Sequence, residues 1–123
     1  MEEVSTGQKF FAAAAHGAYL VGGAGLLLVP LIIWLVSRGK SAFVAHHAKQ
    51  AFFIQVFAMF IMVFCICLGA FAFDPMTAVI LIFVLTIPLW MIFSIVGVVK
   101  AMSGEYFAYP VLALCGMKKP GEV

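Results

Sequence analysis

Formal charges punctuate this chain at long intervals. Residues 10–37 between Lys9 and Arg38, residues 50–73 between Lys49 and Asp74, and residues 75–99 between Asp74 and Lys100 carry none. These runs are 28, 24 and 25 residues long. A helix rising 1.5 Å per residue needs about 20 apolar residues to cross a hydrocarbon layer of ~30 Å, so each run is long enough. The pattern predicts an all-α membrane protein with three transmembrane helices, over about 11–36, 50–72 and 76–100, forming one transmembrane domain across residues 1–123. Residues 106–117 are apolar too, but they are few and are broken by Pro110. A short interfacial or re-entrant C-terminal segment is predicted there, at about 105–117.

Local signals fill in this frame. Ala14, Ala18, Gly22 and Gly25 form a small-residue stripe on the first span, and Pro30 is expected to kink it by crowding the carbonyl of Leu26. Ser41 is placed to cap a helix starting near Ala42, and Asp74 or Thr77 to cap the third. Trp34 suits the interface. Gln55 is a lone amide in an aromatic-rich span, so it is expected to face another helix. Pro88 predicts a second kink. Ser94, Gly97, Ala101 and Gly104 make another small face, and Gly97 is expected at a close helix contact.

Composition agrees with the hydropathy: 66% of residues are hydrophobic and 10% charged, against roughly a quarter charged in soluble domains. The net charge of +2 forms no basic stripe with stacking aromatics, so nucleic acid is not an expected partner. Cys65, Cys67 and Cys115 lie in apolar text and read as small apolar side chains, not a disulfide framework. The leader MEEVSTGQK, with two glutamates, does not read as a secretory signal, so the first span is expected to be retained. Arg38, Lys40, Lys49, Lys100, Lys118 and Lys119 would then share one side and Lys9 the other. The positive-inside rule puts the amino terminus outside and the carboxyl terminus in the cytoplasm of a bacterial inner membrane.

Candidate chemistry is sparse. No G-x-S-x-G elbow is present, and Asp74 and Glu105 fall on opposite faces, so neither a nucleophile nor a carboxylate pair is assembled. No enzyme activity and no cofactor is predicted. Imidazole ligates metals and haem, which makes His46 and His47 the weak candidates for such a site. Adjacent helical residues point about 100° apart, however, and the three-span reading leaves His16 at the opposite membrane face. Gln55, Thr86 and Ser94 are the polar groups that an oligomeric pore would use.

Two strings stand above this background: FVAHHAKQA at residues 43–51 and KAMSGEYFAYP at residues 100–110. Together they resemble a family of small bacterial membrane proteins similar to the twenty-kilodalton subunit of the chloroplast inner-envelope protein translocon. The resemblance implies a structural, assembly or translocation-associated role, with relatives linked to plastid protein import and to magnetosome membranes. The expected partners are the lipid bilayer and further copies or a larger membrane complex. The interaction residues are His47, Gln50, Gly97, Gly104, Glu105, Tyr106 and Pro110. Both strings lie at the cytoplasmic rim, where the Glu105 carboxylate is expected to face His47 and raise its pKa, and Gln50 to bridge to freed backbone.

Overall fold

A computed structural model describes residues 3–121; the surroundings of Ala24 and Gly25 lie outside the described features, and the expected role of Gly25 in a packing stripe with them. The described residues contain helices and no strands. Five helices follow one another: α1 (Thr6–Gly22), α2 (Leu28–Ser37), α3 (Ala42–Ala72), α4 (Pro75–Met102) and α5 (Pro110–Leu114), with a 3₁₀ turn at Gly23–Leu26. Two of them, α3 and α4, are long and apolar enough to cross a membrane.

The termini of these helices follow from short polar residues. Ser5 and Gln8 form a reciprocal capping box on α1, Ser41 Oγ accepts from the Val44 amide to start α3, and Asp74 accepts from the Thr77 amide at 3.0 Å to start α4. The Thr77 hydroxyl first, and then the Thr77 amide, hold the Asp74 carboxyl below its ordinary range by hydrogen bonding to it. Pro75 follows at the first helical position, where its missing N–H has no intrahelical partner to lose.

The expected first span is not one kinked helix. It breaks at Gly22-Gly23, where Gly23 takes φ +58°, and the chain folds back so that α2 returns alongside α3. Gln8 Nε2, near the start of α1, donates to Ser41 Oγ at 3.1 Å, just beyond the end of α2. A through-span would hold those residues on opposite faces. The physical reason is local: adjacent glycines carry no Cβ to penalise the left-handed conformation, and they interrupt the helix. Pro30 therefore does not kink a span; it sits buried in the first turn of α2, where an N–H is dispensable.

In the resulting bundle α1 runs parallel to α3 and antiparallel to α4. Ala12, Ala13, Phe43, Val44 and Ala101 pack in one cluster, Ala15, Ala48 and Ala51 in a second, and Ile54, Ala58 and Trp90 with Tyr109 and Leu112 in a third. The buried positions of α1 are Ala12, Ala13, Ala15, His16 and Ala18; of the expected stripe Ala18 is among them, whereas Ala14 is half-buried and Gly22 exposed. Beyond Ala58 the α1–α2 hairpin no longer covers α3 and α4. Phe60, Phe64, Leu68, Phe71, Phe83 and Val84 there are more than half exposed, as lipid-facing side chains are. Helix α4 continues through Pro88.

All seven Lys and Arg residues gather at one end. Lys9 lies against Gly104, Lys100 is in the last turn of α4, Arg38 and Lys40 lie between α2 and the Ser41 cap, Lys49 is the eighth residue of α3, and Lys118 and Lys119 follow the docked Met117. The Asp74 turn lies at the other end.

Candidate functional site

The rim is built by two helix ends of the same design. At the end of α4, Gly104 takes φ +75°, its N–H bonds the Ala101 carbonyl and the Glu105 N–H bonds the Lys100 carbonyl. At the end of α5, Gly116 takes φ +90°, its N–H bonds the Ala113 carbonyl and the Met117 N–H bonds the Leu112 carbonyl. Both are Schellman closures, which satisfy the last carbonyls of a helix and turn the next residue sharply away. The residue after each glycine then offers its own carbonyl to α3. His47 Nε2 donates to the Glu105 carbonyl at 2.9 Å, and Gln50 Nε2 donates to the Met117 carbonyl at 2.7 Å. His47 and Gln50 are three residues apart, on neighbouring positions of one helix face.

Two more bonds complete the clamp. His46 Nε2 donates to the Phe107 carbonyl at 2.8 Å, and Gln50 Oε1 accepts from the Tyr109 amide at 3.3 Å. Tyr109 then caps α5 and Pro110 opens it. Tyr106 stacks on His47 with an interplanar angle of 16° and sits edge-on to Phe43.

Beneath this clamp lies a chain of buried polar groups. His47 Nδ1 is 3.0 Å from His16 Nε2, and His16 Nδ1 is 2.8 Å from the Tyr109 hydroxyl. His16, His47 and Tyr109 are each no more than 1% exposed. The direction of every bond follows from the last one. A backbone carbonyl only accepts, so His47 Nε2 carries a hydrogen. With neutral rings His47 Nδ1 is therefore an acceptor, His16 Nε2–H donates to it, and His16 Nδ1 accepts from Tyr109. All four ring nitrogens are occupied. Burial pushes the Tyr109 hydroxyl above its ordinary pKa, keeping it in the protonated form that this direction needs.

Gly97 makes room for the chain. A Cβ there would fall 2.6 Å from His16 Nδ1 and 2.7 Å from the Tyr109 oxygen. Ser94, one turn earlier, donates from Oγ to the His16 carbonyl.

Several expectations are corrected by this geometry. His16 is not at the face opposite His47 but in direct contact with it, because the α1–α2 hairpin brings α1 in from the same rim as α3. Glu105 meets His47 through its backbone; its carboxylate pairs with Lys100 at 2.6 Å in the open, and that ammonium holds it below the ordinary carboxylate range. His46 and His47 point to separate carbonyls, and among the described residues no cluster of three or more His, Cys, Asp or Glu forms a metal cage. The pore trio is not assembled: Gln55 and Ser94 line one small cavity, whereas Thr86 lines a groove near the far end and bonds its own helix at Ile82. Sequence reasoning missed His16 and Tyr109. A histidine alone in an apolar run is the available signal, since such a residue must find a partner inside the bundle.

A family model matches residues 7–114. The chain belongs to the magnetosome magnetite crystal formation protein family. This overturns the assignment to a family like the chloroplast translocon subunit. The strings that suggested it build most of the clamp: HHAKQ supplies the donors His46, His47 and Gln50, and GEYF-x-YP carries the Glu105 and Phe107 carbonyls and the Tyr109 amide, so they specify the docking of a tail and say nothing of cargo. No curated protein and no solved structure matches the chain.

Proposed function

We propose that the protein is a non-enzymatic assembly subunit of the magnetosome membrane, working through its clamped rim and its lipid-facing helices. Membership of a family described by magnetite crystal formation supports the setting. The observation that carries the role is that the polar side chains of the rim are engaged by the chain's own backbone: buried His47 and Gln50 hold the carbonyls of Glu105 and Met117, and half-buried His46 holds that of Phe107. Such a site presents a fixed surface.

In this reading α3 and α4 cross the membrane and α1–α2 is a re-entrant helical hairpin, the first run of uncharged residues entering and leaving on one side. The clustering of all basic residues at the rim supports a cytoplasmic rim with both termini there. The uncovered far halves of α3 and α4 meet lipid, further copies, or other subunits of a membrane complex.

Deleting the gene in a magnetite-forming host and measuring crystal size by electron microscopy tests the role. Altered crystals are expected, restored by the wild type but not by a chain carrying both His47→Ala and Gln50→Ala. Unaltered crystals after deletion would sink the reading.

A further inference from the structure

Below the histidine chain, where α1, α3 and α4 meet, lies a cavity of about 10 Å³ lined by Tyr19, Gln55, Trp90, Ser94 and Tyr109 among others. A single water needs room on the order of 10–15 Å³ and two to four polar partners. Gln55 is 3% exposed, and its Oε1 is the buried side-chain oxygen or nitrogen that has no hydrogen-bond partner among the described residues. An amide oxygen left bare in a hydrocarbon setting is costly, because neither solvent nor backbone can reach it.

The other groups around the cavity define what completes it. Tyr109 gives its hydrogen to His16, and Ser94 gives its hydrogen to the His16 carbonyl. Their oxygens keep free lone pairs. With Gln55 Oε1, these oxygens set three acceptors around the cavity, two of which a donor of two hydrogens no larger than its volume can satisfy.

We propose that this cavity is a binding site for one water molecule, which donates to Gln55 Oε1 and to the hydroxyl oxygen of Tyr109 or Ser94. Bound to Tyr109, the water extends the buried chain and joins Gln55, in the middle of α3, through Tyr109, His16 and His47 to the Glu105 carbonyl; bound to Ser94, it ties Gln55 to the His16 backbone instead. The water site stands whether or not the protein has the proposed assembly role.

A crystal structure of the full chain grown in a lipid mesophase, at a resolution that shows ordered solvent, tests the site. A density peak at hydrogen-bonding distance from Gln55 Oε1 and from a second oxygen of the cavity is expected. An empty cavity, or a Gln55 turned onto a donor of the protein, overturns it. The variant Gln55→Leu adds a solution test. Replacing a water-satisfied amide removes the acceptor together with its water, so the melting temperature in detergent should stay within about 5 °C of wild type; removing a bare acceptor should raise it by more than that. Should the variant not fold, the wild-type density alone distinguishes a hydrated cavity from an empty one.

Discussion

His16 Nε2 lies 3.0 Å from His47 Nδ1, joining α1 to α3 inside the bundle with both rings buried. The pair is coupled at its other ends too, since His16 takes the hydrogen of Tyr109 and His47 gives one to the Glu105 carbonyl. Removing either ring strands the other's nitrogen in a place without solvent. His16→Ala and His47→Ala should therefore be strongly non-additive, with a coupling of about 0.5–3 kcal/mol in thermal or denaturant unfolding. The same cycle between His47→Ala and Glu105→Ala should be additive to within about 0.5 kcal/mol, because Glu105 contributes a carbonyl that alanine retains. A large coupling there would mean that the carboxylate, not the backbone, meets His47.

Much of this architecture is legible in the residues. The caps at Ser41 and Asp74, the start of α3 at Ala42, the burial of Gln55 and the tight place of Gly97 all follow from turn chemistry, from small-residue spacing and from the cost of bare polar groups in hydrocarbon. The hairpin of α1 and α2 does not follow from hydropathy. A run of uncharged residues is equally apolar whether it crosses the membrane or turns back, and only Gly22-Gly23 marks the reversal. Treating that turn as part of a packing stripe puts His16 on the wrong face. The contact between the two strings is foreseeable from their shared depth. That it runs through backbone carbonyls is not, because the two Schellman closures that aim those carbonyls are set by φ at Gly104 and Gly116.

Gly97 should tolerate no side chain. The atoms that a Cβ would strike belong to the His16 ring and the Tyr109 hydroxyl, both fixed by hydrogen bonds, so neither can swing aside. Gly97→Ala is expected to cost about 1–3 kcal/mol, as overpacking of a close contact does. Gly39 has nothing within 4 Å of its would-be Cβ, so Gly39→Ala is the control and should melt as wild type. Equal melting of the two variants in detergent would remove Gly97 from the contact.

Alkali should undock the tail. The pKa of Tyr109 is raised by burial, so the folded state disfavours its phenolate relative to the unfolded chain. A group shifted upward contributes stability in full below its unfolded pKa of about 10 and loses it as the pH climbs past that value. Melting temperature should fall above about pH 10 more steeply in wild type than in Tyr109→Phe, which cannot ionise. Parallel pH curves for the two proteins would show that Tyr109 ionises freely and is not buried against His16.

The arrangement of α1 and α2 makes the sharpest prediction, since it moves the amino terminus from one side of the membrane to the other. Gln8 and Ser41 share a hydrogen bond of 3.1 Å, so whatever reaches one end of the hairpin reaches the other. Single cysteines introduced at Ser5, Gly39 and Asp74 report this directly, in a background where Cys65, Cys67 and Cys115 are replaced by alanine. In intact cells of a host without magnetosomes, with the protein in the inner membrane, an impermeant thiol reagent should label the Asp74 position and leave those at Ser5 and Gly39 untouched until the membrane is opened. A through-spanning first helix gives a different pattern, with the Ser5 position labelled alongside Asp74 and Gly39 protected. Labelling of Ser5 and Gly39 with Asp74 protected would keep the hairpin but reverse the protein in the membrane, against the gathering of every Lys and Arg at the rim.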